Sequence, residues 1–220
     1  TGNGENAPGL PREVLAQPAP YLPLAEKLGA AAAQLGPPGP SEVVVEVAGE
    51  LAAVPMRPLA ARALVGFLRH FLDTPVNEVN APAIAKDRGL HVREVRSAEP
   101  HDWASLVTLR VRGEAGETLV AGTVYGKREA RIVQVNGFRV EAVPAGHVIV
   151  VENDDAPGVV GNLGTHLAEA GVNIALISLS RLPDRSGAFS FVNVDQAPSP
   201  GLLDRLRALP HVRSVRALRI

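Results

Sequence analysis

The chain has 220 residues, 46% of them hydrophobic and 20% charged, so it can bury a core and does not read as a disordered segment. Lys and Arg number 22 against 23 Asp and Glu, and the net charge of −1 excludes a general attraction to nucleic acid or to an acidic membrane surface. The absence of cysteine rules out a disulfide scaffold, a Cys-ligated metal or cluster, and a Cys nucleophile. No apolar run approaches the roughly 18–20 residues that span a bilayer. The N-terminus lacks the basic-then-apolar layout of a secretory signal, and the expectation is a soluble cytoplasmic protein.

Residues 1–23 carry Pro8, Pro11, Pro18, Pro20 and Pro23, which no helix interior or central strand tolerates. This opening reads as a linker or extended arm over 1–20, and the chain as a fragment whose upstream part is missing. Leu24, Leu28 and Leu35 share one stripe and predict a helix over 21–35, stopped by Gly36-Pro37-Pro38-Gly39-Pro40. A strand is expected at 42–49. Leu59, Ala63, Phe67 and Phe71 predict a helix over about 57–73, and a shorter helix over 80–89 ends at Gly89. Four strand-like runs follow at 91–98, 103–112, 117–124 and 130–142, the last folded at the Asn136-Gly137 hairpin signal. Residues 21–145 thus read as an α+β unit ending in an antiparallel meander.

Pro144-Ala145-Gly146 marks a second boundary, and 146–220 reads as a separate unit. Its elements are strand 147–153, helix 157–170, strands 173–181 and 188–195, helix 200–209 and strand 211–219. Ser199 and Pro200 supply the cap and first position of that last helix. The order βαββαβ is the ferredoxin-like arrangement. The predicted class is α+β throughout.

Few residues suggest chemistry. Gly2-x-Gly4-x-x-Ala7 has the spacing of a dinucleotide fingerprint but no strand before it, and prolines follow. No NAD site is expected in this chain. The six histidines form no close pair at metal-ligand spacing, and no Gly-x-Ser-x-Gly elbow or Walker loop occurs. Two places stand out. In the first, strand 147–153 ends in Asn153, Asp154 and Asp155, directly before a helix whose free N–H groups suit a carboxylate. Asp155 would bind an ammonium, and Asn173 would help hold an α-amino acid; the plainer reading is an N-cap at Asp155 and a turn residue at Asn173. In the second, Lys127, Arg128, Arg131 and Arg139 surround the Asn136-Gly137 hairpin. Arg131 and Arg139 would converge on a phosphate or carboxylate, or simply guard a solvated sheet edge.

Residues 148–164 and 170–174, with Asp155-Ala156-Pro157-Gly158 and Gly171-Val172-Asn173-Ile174, resemble an ACT domain. Residues 76–90, with Val79-Asn80-Ala81-Pro82, and 118–137, with Ile132-Val133-Gln134-Val135-Asn136-Gly137, resemble the intervening domain of long-form D-3-phosphoglycerate dehydrogenases. The resemblance covers about 20–220. It implies the regulatory and oligomerising half of an NAD-dependent enzyme of L-serine biosynthesis, with NAD and the catalytic residues upstream and no catalytic residue here. It implies an L-serine effector site at Asp155, Asn173 and Asn153, formed across a dimer interface; relatives carry His or Tyr at the position of Asn153. It implies a phosphate effector site in the intervening domain at Arg131, which Arg139 and Lys127 of the basic group would complete. Val143 and Asn193 stand where relatives are basic. The resemblance also admits a free-standing amino-acid-binding module or the regulatory part of an iron–sulfur serine dehydratase. Partners are L-serine or a related metabolite and a second copy of the chain, not nucleic acid or membrane. A bare βαββαβ unit leaves one sheet face open, and strand 188–195 is apolar on both faces, so at least a dimer is expected.

Overall fold

A computed structural model describes residues 18–97, 102–126 and 128–220. Helix α1 (Tyr21–Leu35) buries Leu24, Leu28, Ala31 and Leu35 at helical spacing. β1 (Pro40–Gly49) follows, and a 3-10 turn (Glu50–Ala53) leads to helix α2 (Arg57–Leu68), which carries Pro58 in its first turn. α2 runs antiparallel to α1 at very close range, because two glycines face each other's backbone. A Cβ on Gly29 would lie 2.0 Å from the Ala63 carbonyl oxygen, and one on Gly66 would lie 1.8 Å from that of Glu26. Nothing larger than hydrogen fits at either point.

α2 ends at Leu68, short of the expected 73. The Arg69 guanidinium donates to the Val76 carbonyl at 3.1 Å, which folds the following segment back over the helix end. Pro75 also disfavours a helical conformation at Thr74. Phe71, expected in the buried stripe, is 44% exposed.

Helix α3 (Ala81–Asp87) closes at Gly89, whose φ of +70° suits its place past the helix end. The strands of the first sheet are β1, β2 (His91–Ser97), β3 (Ser105–Gly113), β4 (Gly116–Tyr125), β5 (Glu129–Val135) and β6 (Phe138–Ala142). Their order is β2-β1-β3-β4-β5-β6, with β1 and β2 parallel across the α2–α3 crossover and the rest antiparallel. The Asn136-Gly137 turn is where it was expected, with Val135 paired to Phe138 and Asn136 at φ +51°. α1 and α2 cover one face of this sheet. On β1, Val43, Val45 and Val47 point into that core while Glu42 and Glu46 point away.

The second sheet holds β7 (His147–Asn153), β8 (Ile174–Arg181), β9 (Ala188–Val194) and β10 (Val212–Arg219), in the order β10-β7-β9-β8. Helices α4 (Val159–Glu169) and α5 (Pro200–Arg207) cover one face. The βαββαβ order and the α+β class read from the sequence are those of the structure. Ser199 caps α5, its side-chain oxygen accepting the Leu202 N–H at 3.2 Å. α4 starts at Val159 rather than 157, because Gly158 takes a left-handed φ of +91° and occupies the N-cap position without a side-chain cap. Asp155 is therefore not the cap of this helix.

The other face of the second sheet corrects one premise. The sequence left that face open and inferred a dimer from it. In the structure Val148, Val150, Phe189, Phe191 and Leu218 belong to the same core cluster as α1, α2 and the first sheet. Phe138 of β6 stacks on Phe189 of β9, with ring centroids 5.2 Å apart. Polar contacts fix the same junction. The Asn193 amide donates to the Val143 and Ala145 carbonyls at 3.1 and 3.0 Å. The Gln34 amide bonds both the N–H and the carbonyl of Arg219, each at 2.9 Å, and Arg216 donates at 2.7 Å to the Leu35 carbonyl at the end of α1, which also accepts from the Thr118 hydroxyl. The apolar face is covered from within the chain.

Candidate functional site

The end of β7 gathers the polar residues that the sequence singled out. Asn153 shares the helix-bearing face with Ile149 and Val151, by alternation, and is only 4% exposed. Its amide nitrogen donates to the Asp154 carbonyl at 2.6 Å. Its Oδ1 is buried and has no hydrogen-bond partner. Such an acceptor is costly unless something donates to it.

The two aspartates that follow have different partners. Asp154 receives Arg213 at 2.7 Å and lies 3.5 Å from the His211 ring. The Arg213 hydrogen bond, helped by His211, holds the Asp154 carboxyl below the usual carboxylate range. Arg213 also donates to the Ser186 carbonyl at 2.6 Å, so this pair ties β10 to the β8–β9 turn. Asp155 instead faces Arg181, the last residue of β8, at 3.4 Å. The Asp155 side chain is 18% exposed and that of Arg181 56%. Sequence reasoning missed Arg181 because its neighbourhood to Asp155 arises from strand register, not from spacing along the chain.

Asn173 is placed elsewhere. β7 and β8 both pair with β9: His147 and Ile174 oppose Val194, while Asn153 and Arg181 oppose Ala188. Asn173 therefore sits at the start of β8, at the other end of the sheet from Asp155, roughly 20 Å away at about 3.3 Å per residue. Within one chain this parallel register keeps the two residues apart. Asn173 has its own partner, donating to Asp195 at 2.7 Å.

The arginines near the hairpin do not share a partner. Arg131 pairs with Glu129 at 2.9 Å, and Arg139, on the edge strand β6, pairs with Asp102 at 2.6 Å and lies over the Trp103 ring at 5.8 Å. Lys127, like the Gly2-x-Gly4 stretch, lies outside the described residues. Val143 and Asn193 meet at the junction between the sheets, through the carbonyl contact already described.

A groove of about 610 Å³ between α2, α3 and β2 is lined by Ala60, Leu64, Val79, Pro82 and Val92, with charges at its rim. It holds none of the residues expected to bind. Among the described residues, no group of three His, Asp or Glu side chains is placed to hold a metal, and no helix is long and apolar enough to cross a membrane.

Comparison with known proteins adds the following. Residues 18–136 match the family described as the D-3-phosphoglycerate dehydrogenase intervening domain, and residues 147–211 match the ACT domain. The chain is similar to D-3-phosphoglycerate dehydrogenase of Synechocystis, 31% identical over 216 residues, covering 98% of this chain and 39% of that protein. It is 36% identical over 180 residues to that of Mycobacterium tuberculosis, covering 81% and 34%, and 27% identical over 213 residues to that of Bacillus subtilis, covering 97% and 41%. The chain thus spans about two fifths of the length of these relatives, or less.

Proposed function

Because the chain belongs to the family of D-3-phosphoglycerate dehydrogenase intervening domains and carries an ACT domain behind it, we propose that it is the regulatory and assembly portion of such a dehydrogenase. The serial order of the two matched units, joined here through one core, carries this reading. The parent reaction is then the oxidation of 3-phosphoglycerate to 3-phosphohydroxypyruvate with NAD, on the cytoplasmic route to L-serine. NAD belongs to the part of the relatives that this chain does not span. The β7–α4 turn does not fit its pyrophosphate, since Asp154 and Asp155 stand beside the helix N-terminus that would meet it.

The effector is an α-amino acid, L-serine first, at the Asp155 end of the second sheet. Asn153 Oδ1 and the Asp155 carboxylate supply acceptors there, and the first turn of α4 supplies free N–H groups. The site is completed by a second copy of the chain. β8 is an edge strand, and Ile177, Leu179 and, on α4, Val160 remain 38%, 44% and 45% exposed. Antiparallel pairing of β8 with the β8 of a second copy joins opposite ends of the two sheets. It brings Asp155 of one copy beside Asn173 of the other. At the β5–β6 hairpin an anion would have to displace Glu129 from Arg131 and Asp102 from Arg139, so the effector role is assigned to the ACT end.

Calorimetric titration of the chain with L-serine, beside sedimentation velocity, tests this. The expected result is saturable binding by a dimer and no NAD reduction with 3-phosphoglycerate. A monomer at all concentrations that binds no amino acid would leave the unit a structural appendage.

A further inference from the structure

Resting on the amino-acid effector reading, we infer that Arg181 is the carboxylate-binding residue of the site, and that the Asp155–Arg181 ion pair is what an α-amino acid replaces. The ligand's ammonium takes Asp155, and its carboxylate takes Arg181.

Three observations support this exchange. First, Arg181 is on the correct face and at the correct level. It shares alternation with Ile177 and Leu179, and it opposes Ala188 together with Asn153. Second, its contact with Asp155 is a loose one. At 3.4 Å it is a single long approach, and Arg181 has no other side-chain partner among the described residues. The neighbouring Arg213 shows the contrast, being held by both Asp154 and the Ser186 carbonyl. A guanidinium held by one long contact keeps most of its five donors for a bidentate carboxylate. Third, the ion pair leaves Asn153 Oδ1 unsatisfied although that residue is 96% buried, its relative exposure being 4%. A guanidinium at Asp155 does not reach this oxygen, whereas a compact ammonium beside Asp155 has three N–H groups to share between the carboxylate and the amide.

The site therefore offers acceptors on one side, Asp155 and Asn153 Oδ1, and donors on the other, Arg181 and the uncapped first turn of α4. That pattern matches a zwitterion with its two charges on one carbon. It rejects an amine without a carboxylate, because Arg181 would then lose Asp155 and gain nothing.

Calorimetry of the whole chain with L-serine and with L-serinamide, which keeps the ammonium and side chain but has no carboxylate, tests the assignment. Arg181→Gln should weaken L-serine binding by about ten- to a hundred-fold, the worth of a charge-assisted contact. The parent chain should bind L-serinamide about as weakly as the variant binds L-serine, and the variant should not weaken L-serinamide further. Arg181→Lys should recover part of the loss. Equal losses for both ligands in Arg181→Gln would mean a structural effect and overturn the assignment. So would unchanged L-serine affinity in that variant. Failure of the parent chain to bind either ligand would overturn the amino-acid reading itself, together with this one.

Discussion

The two sheets are built alike on one side and differently on the other. Each lays a pair of helices on one face. The opposite face of the first sheet carries a lattice of charges at one end, in which Glu42 meets Arg93 and Arg112, and Glu117 meets Arg110 and Arg112, and at the other only a small apolar cluster of Ala48, Leu106, Ala121 and Val133 beside Trp103. The opposite face of the second sheet carries Val148, Val150, Phe189, Phe191 and Leu218. Charged groups in pairs can stay in water at little cost, whereas a row of valines and phenylalanines cannot. The second sheet is therefore buried on the first unit, and the chain has one core across both. The face that seemed to call for a second copy is used up internally. The proposed association uses the β8 edge instead.

Substitutions on the two faces should thus have unequal reach. Phe191→Ala removes a fully buried ring from the shared core and should cost about 3–5 kcal/mol. Trp103, the single tryptophan of the sequence, packs against the first sheet and reports on that unit alone. Its fluorescence transition in denaturant should move with the circular dichroism transition in Phe191→Ala. A Trp103 midpoint that stays at the parent value would show two independent units and break the comparison.

Asn193→Ala should have a smaller effect, about 1–3 kcal/mol, because it removes the side-chain donor to the Val143 and Ala145 carbonyls, of which Val143 keeps the Ala145 N–H. Relief of the buried, unpartnered Oδ1 of Asn193 offsets part of this cost. The same pair of probes should again move together.

The charged face should respond least to substitution and most to solution conditions. Glu117→Gln should barely shift the midpoint at neutral pH, and added salt should shrink the difference further. The hydrogen bond from Arg112 holds the Glu117 carboxyl below its ordinary range, as Arg213 does for Asp154. A carboxylate depressed in the folded state stabilises at pH above its unfolded value, and that contribution is lost as pH falls through the folded value. The chain should therefore lose stability on acidification below the ordinary carboxylate range, and Glu117→Gln should flatten that slope. A slope as steep in the variant as in the parent would remove Glu117 from the account.

Most elements were legible because local patterns decide them. The Leu24–Leu28–Leu35 stripe, the alternation of Val43, Val45 and Val47, the Asn136-Gly137 turn and the Ser199-Pro200 cap each act within a few residues. The alternation of β9 also told correctly that both of its faces are apolar. Local pattern alone could not tell what would cover the second one, since that depends on contacts between residues such as Phe138 and Phe189, 51 positions apart. The same limit governed the site. Asn153, Asp154 and Asp155 are contiguous and could be read directly. The pairing of Asp155 with Arg181, and the distance from Asp155 to Asn173, follow from β7 and β8 running parallel on either side of β9. The close approach of α1 and α2 at Gly29 and Gly66 is of the same kind, set by where two helices cross. The sequence by itself determined the α+β class, the order of elements and the polar loop after β7, because hydrogen-bonding and turn preferences act between near neighbours. Only the tertiary structure decided which apolar face is covered and which charge meets Asp155, because burial and ion pairing act across space between segments that the chain order does not bring together.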